Sequence, residues 1–245
     1  MPYSNLLVTA HADDASPLLQ SDLNSHILHL PLEEYNYSVE KEQTLALDES
    51  FESFEFVIHA NKRNTAYFLN WLEESGQTER AKKRIHLTGD SYSAELLEKA
   101  GIPAIVPKPD ARPIDILEFM LRISRSGGVL YPCPEGSAEE MPGLLHELEI
   151  PVSEFYVCQP ATLPTETLNN YREFVKNNPP DAILFHSRGS IIRIQTAFPE
   201  LDLSTVTKIS ASAGVSWKMR KEGLEPDHEA GGTWRSVVEY LSSME

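Results

Sequence analysis

The chain has 245 residues, enough for two domains of about 120, each able to bury a core, and 41% of them are hydrophobic, as in ordinary globular proteins. No apolar run approaches the roughly 20 residues needed to cross a membrane. A formal charge of -16 argues against a nucleic-acid partner, whose phosphates are held by Lys and Arg, but helix N-termini and a few arginines still allow a small anionic ligand.

The first elements are a strand at NLLVTA, a helix at ASPLLQSDL and a second strand in HILHLPLEEY. The opening residues lack the basic and apolar regions of a signal peptide, so the expected location is the cytoplasm. The stretch SVEKEQTLALDES, 38–50, is the most polar in this part of the chain and reads as a connection into a second domain. From Glu55, EFVIHANKRNTAYFLNWL is a short apolar strand, a polar turn and an amphipathic helix. Next, RIHLTGDSYSAELLEKAG gives a strand, a small-residue turn and a helix ending at Gly101, followed by an extended piece and a helix over PIDILEFML. GGVLYPCP, AEEMPGLLHEL and VSEFYVCQP then restate the strand, helix, strand order of the N-terminus.

Beyond a second polar connection, TLPTET at 162–167, DAILFHSRGSIIRIQTAF and TKISASAGVSWKMRKEG repeat the Glu55 series, with Gly223 in the place of Gly101 and a last helix in WRSVVEYL. Matched points lie about 121 to 126 residues apart, a slow drift that marks a duplicated module. Glycine at both helix ends fits a C′ position, which needs a left-handed backbone. Strands alternating with helices imply parallel sheets and right-handed crossovers. The fold class is therefore α/β: two flavodoxin-like, duplicated parallel-sheet domains. The two polar connections suit a middle domain, 38–160, inserted into a discontinuous one made of 1–37 and 161–245.

AILFHSRGSIIRIQTAF changes from apolar to polar and back at HSRGS. Two readings fit: a plain strand-to-helix turn with Ser as N-cap, or N-H groups at the helix start kept for an anion. Cys133 and Cys158 are too few for a disulfide framework or a thiolate zinc site and read as small buried side chains. His59 and His186 end equivalent strands; without a third ligand at metal spacing they read as hydrogen-bonded structural residues. Asp13, Asp14, Glu139 and Glu140 look like helix-start acids, and Trp71, Trp217 and Trp234 like core residues. His11, after the first strand, is a candidate for facing a ligand.

Taken together, FHSRGSI, SAELLEKAG, YPCPEGSAEEMPGLLHEL and FYVCQP, in this order and spacing, resemble the uroporphyrinogen-III synthase family over about Asn5 to Leu241. The resemblance implies two α/β domains joined by a two-stranded connector, with the active cleft between them. It implies a cofactor-free, metal-free, monomeric lyase that closes linear hydroxymethylbilane into a macrocycle, inverting the terminal ring and losing water. Tyr156 matches the tyrosine of the family's V-Y-x-T strand and is the expected catalytic acid: a phenol, with pKa of about 10, stays protonated at neutral pH.

The expected substrate-binding residues are Thr9, Asn61, Arg63, Asn64, Ser93, Ser187, Arg188, Gly189, Ser190, Gly214 and Val215. HSRGS and ANKRN would be paired cradles for some of the substrate's eight carboxylates, placed at the carboxyl ends of parallel strands. Arg63 and Arg188 would add bidentate contacts; read from their positions alone, they are solvated helix-start residues. The chain departs from the family pattern at several points. Asn61 replaces a serine, Ser93 replaces a threonine, and Val215 stands where the pattern has a hydroxyl, with Ser216 beside it. Ser212 replaces a glycine, and Thr9-Ala10-His11 lacks an arginine.

Those departures favour one alternative, a non-catalytic protein binding a polycarboxylate or tetrapyrrole-like ligand. A receiver-like signalling module does not fit, because the strand ends carry His, Asn and Ser rather than a cluster of acids.

Overall fold

LLV of NLLV and the whole of AILF are apolar and buried, which marks strands covered on both faces. In the computed structural model, which describes residues 3–23, 26–108, 111–124, 127–136 and 139–244, they are β1 (Asn5–Val8) and β9 (Ala182–Phe185), neighbours inside a parallel sheet. The chain divides into two compact units, 1–34 with 161–245, and 35–160.

The discontinuous unit begins with β1, α1 (Ser16–Leu19) and β2 (His26–His29), and the chain leaves it within β3 (Glu34–Tyr37). It later resumes with α8 (Thr165–Asn177), β9, α9 (Ser190–Ala197), β10 (Thr207–Ser210), α10 (Ala213–Lys221), β11 (His228–Glu229) and α11 (Trp234–Ser243). Its five strands lie in the order β11-β10-β9-β1-β2. Alternate side chains serve opposite layers. Leu7, Ile183 and Phe185 pack with Ile191, Ile194, Val215 and Met219 of α9 and α10. Leu6, Val8 and Leu184 pack with Leu18 of α1 and with Val237 and Leu241 of α11.

The continuous unit holds α2 (Lys41–Ser50), β4 (Phe54–His59), α3 (Lys62–Ser75), α4 (Thr78–Ala81), β5 (Ile85–Thr88) and α5 (Ser91–Lys99). It continues with β6 (Ala104–Ile105), α6 (Pro113–Ile123), β7 (Gly128–Pro134), α7 (Glu140–Glu147) and β8 (Val152–Ala161). The sheet order is β3-β8-β7-β4-β5-β6. One face is covered by Phe68, Trp71 and Leu72 of α3 with Leu97 of α5. The other is covered by Ile116, Leu117 and Met120 of α6 and by Met141 and Leu145 of α7.

The sequence-based picture differs from this in two places. The polar stretch 38–50 is largely helix α2, which buries Leu47 and uses Thr44 Oγ1 to accept a hydrogen bond from Trp71 Nε1 at 3.2 Å. Its neighbour Leu45 is exposed, so the stretch carries almost no helical periodicity to read. The units divide between Glu34 and Tyr35, where the sequence suggests Tyr37, because Tyr35 and Tyr37 pack on the larger unit's core. Gly101 and Gly223, by contrast, follow α5 and α10 with φ of 74° and 76°, the left-handed conformation expected of both.

Candidate active site

In a parallel sheet the turns that follow the strands carry the ligand chemistry, and each unit presents such turns. In the discontinuous unit, Ser187 and Ser190 close the HSRGS turn on themselves. Ser190 N-H donates to Ser187 Oγ at 3.2 Å, Ser187 N-H to Ser190 Oγ at 3.3 Å, and Ser190 Oγ to the Ser187 carbonyl at 2.6 Å. The N-H groups of Ser187 and Ser190 are thus already engaged, which is the plain-turn reading of the sequence; those of Arg188 and Gly189 lie outside this loop. Gly189 is where the guanidinium of Arg193 passes: a Cβ there would meet Arg193 Nη1 at 2.6 Å.

Arg188 reaches the neighbouring turn. Its Nη2 lies 3.1 Å from the position a Cβ would take on Gly214, so the missing side chain is what lets the guanidinium lie across the head of α10. Ser212 caps that helix, its Oγ accepting from Val215 N-H at 3.3 Å. The Val215 side chain is buried in the core. Ser216 does not replace the hydroxyl absent at Val215, because its own Oγ is buried and has no hydrogen-bond partner among the described residues. Thr9 is buried at the end of β1, with its carbonyl accepting from Leu32 N-H at 2.9 Å. Arg188, Gly189 and Gly214 are therefore brought together, whereas Thr9, Ser190 and Val215 offer no side-chain surface to a ligand.

In the continuous unit, Asn61 does what a serine would do. Its Oδ1 accepts from Asn64 N-H at 2.9 Å and caps α3. Arg63 corrects the reading from position alone. Arg63 is buried with its guanidinium 3.8 Å from the centre of the Tyr35 ring, so it braces β3 and is not a solvated residue. Asn64 is fully buried, and neither amide atom has a hydrogen-bond partner among the described residues. Ser93 is also buried, and Asp90 takes both its N-H and its hydroxyl at 2.7 Å.

Next to it, Gly89 makes a close backbone approach: a Cβ would stand 2.2 Å from the Ala111 carbonyl oxygen. Gly89→Ala is expected to destabilise this unit by about 1–3 kcal/mol, read as a lower urea midpoint at unchanged slope. An unchanged midpoint would show that the approach is not tight.

Below these turns lies a histidine relay. His86 Nε2 faces the Ala81 carbonyl at 2.9 Å and so carries the proton, which leaves its Nδ1 as acceptor for His59 Nε2 at 3.0 Å. Burial holds His59 well below the usual range and His86 at about 4, so both rings are neutral. The His59 ring meets Phe68 edge-on at 5.4 Å between centres.

Tyr156 sits on β8, in register with Cys133 of parallel β7, as Glu154 is with Tyr131. Side chains two apart on a strand share a face, so Glu154 and Tyr156 lie together. Cys133 Sγ donates to Glu154 Oε2 at 3.8 Å, and the Tyr131 hydroxyl donates to Glu139. Glu154 first, then burial, Cys133 and Glu135, push the Tyr156 phenol above its ordinary pKa, so it is a proton donor at neutral pH.

Sequence reasoning missed Glu33, Arg193 and Glu154, which become visible only through packing and register. It misassigned Trp217, which is 52% exposed on α10 with the Lys221 ammonium 3.9 Å from its ring centre.

Among the described residues no helix is long and apolar enough to cross a membrane. No family model and no curated protein matches the sequence. Solved structures do match in fold. A uroporphyrinogen-III synthetase from Helicobacter pylori aligns over 99% of both chains with a TM-score of 0.64 and 16% identity. A mutant uroporphyrinogen III synthase from Thermus thermophilus aligns over 98% of this chain and 99% of its own, with a TM-score of 0.58 and 13% identity. The chain thus has the two-unit parallel α/β fold of those structures.

Proposed function

We propose that the protein is a lyase acting on a linear polypyrrole, specifically a uroporphyrinogen-III synthase that cyclises hydroxymethylbilane with ring inversion and loss of water. The observation that carries this reading is the place of Tyr156 on β8, beside Glu154 and opposite Cys133, on the strand where the resemblance expects a tyrosine, in a chain whose whole length follows the synthase fold. In this reading the hydroxyl leaves as water, taking a proton from Tyr156. A substituted ring carbon then attacks the electrophilic methylene to give a spiro species, which rearranges and closes the ring with loss of a carbon-bound proton that restores the phenol. Positive charge develops on the ring system as the hydroxyl departs, and Glu154 and Glu139 supply negative potential on that strand face. Holding the flexible chain bent contributes on the order of 7 kcal/mol in favourable cases. Arg188, lying over Gly214, is the cation best placed to take a substrate carboxylate. The reading needs no cofactor and describes a monomer of the cytoplasm.

Hydroxymethylbilane generated enzymatically should be converted mainly to the type III isomer, separated from type I by chromatography. Formation of the spontaneous type I product alone would end the enzymatic reading. In that event a polycarboxylate-binding protein becomes the better account, and Val215, which brings no hydroxyl to its helix head, favours it.

A further inference from the structure

Glu33 is the next-to-last residue of the discontinuous unit before the chain enters β3. Its carboxylate is almost fully buried, with 8% of the side chain exposed, and it is held by two groups of the HSRGS turn and its helix. His186 Nε2 lies 3.1 Å from Glu33 Oε1, and Arg193 forms an ion pair with the same oxygen. Arg193 Nη2 also donates to Ser187 Oγ at 3.0 Å, and its guanidinium fills the space beside Gly189. Burial pushes the Arg193 pKa down. Arg193 is nevertheless 36% exposed, so one side of this corner is open to solvent.

A corner in which an arginine and a histidine already hold a carboxylate, with the Ser187 hydroxyl accepting from that arginine, has the chemistry of a carboxylate site. The occupant comes from a segment leading out of the unit. Leu30 and Leu32 fix that segment to β1 through N-H bonds to the carbonyls of Val8 and Thr9, both at 2.9 Å, and Glu33 is its last anchored side chain before β3.

We propose that the Arg193, His186 and Ser187 corner is a carboxylate-binding seat held by Glu33 in the free protein, and that a carboxylate of the ligand takes the seat by displacing Glu33. This rests on the reading that the protein binds a polycarboxylate. Displacement also releases the root of β3, so occupancy of the seat is signalled to the segment that joins the units.

The test uses uroporphyrin I, an octacarboxylate, titrated calorimetrically into the full chain. Glu33→Gln removes the internal competitor's charge and should tighten binding about tenfold, while Arg193→Gln should weaken it about tenfold. Binding to Glu33→Gln that is unchanged or weaker overturns the proposal. Should that variant fail to fold, hydrogen exchange on the wild-type chain decides. Uroporphyrin I should speed exchange of the amides at 33–37, against the slowing that ordinary binding causes, and slower or unchanged exchange overturns it.

Type III formation by the wild-type chain is scored separately. Type III product without tighter binding by Glu33→Gln leaves the enzyme and removes the seat. Type I product alone with tighter binding leaves the seat and removes the enzyme.

Discussion

Tyr156→Phe is expected to slow type III formation by about 10- to 1000-fold, with little change in substrate affinity. Tyr156 stands beside Glu154 on β8 and opposite Cys133, and the Glu154 charge keeps the phenol protonated beyond its ordinary pKa. Phe keeps the ring and its packing against Tyr131, Cys133 and Met141, so a fall in turnover isolates the hydroxyl proton. The measurement is single-turnover formation of the type III isomer with excess enzyme. Turnover equal to wild type would remove Tyr156 from the proton-donating step and return it to cross-strand packing.

A second large effect concerns stability in acid. His86 titrates near 6.5 in an unfolded chain and at about 4 when folded; His59 is depressed further, first by burial and then by the charge of His86. Because the folded pKa values are lowered, the unfolded chain binds more protons between these limits. Stability is therefore complete above about pH 6.5 and falls as the pH drops toward 4, by roughly 3 kcal/mol from His86 alone.

His86→Gln separates this term from the carboxylates. A glutamine amide can donate to the Ala81 carbonyl and accept from His59 without taking up a proton. Urea unfolding of wild type and variant at pH 7.5, 6, 5 and 4 should show the gap between them narrowing or reversing as the pH falls. Parallel curves would mean that the histidine pair is not what acid attacks.

The sequence carried the fold at positions where a residue type has one local meaning. The left-handed glycines at 101 and 223 and the duplicated strand and helix order needed no tertiary information, because glycine and hydrophobic period act within a few residues. The site was legible only in part. HSRGS could be recognised as a turn, yet the same letters suit an open anion cradle and the self-closed Ser187 and Ser190 loop, which differ in hydrogen bonding that residue types do not specify. Asn64 and Arg63 read as polar residues at a helix start; both are buried, Arg63 against Tyr35 of β3, a tertiary contact that local pattern does not reveal. Glu33 and His186 lie 153 residues apart, so no motif could join them. Trp217 was assigned to the core by residue type, although α10 turns that position outward.

The pairing of β3 with β8 bears on how the chain assembles. The first thirty-four residues must wait for β9, since β1 lies between β2 and β9 and cannot complete its sheet earlier. Bridging that gap with an unfolded insert of 126 residues would cost about 4 kcal/mol in chain entropy. Once the insert has folded, its two ends emerge from adjacent strands about 5 Å apart. Most of that entropic penalty is then already met, and the split unit closes almost as a continuous one would.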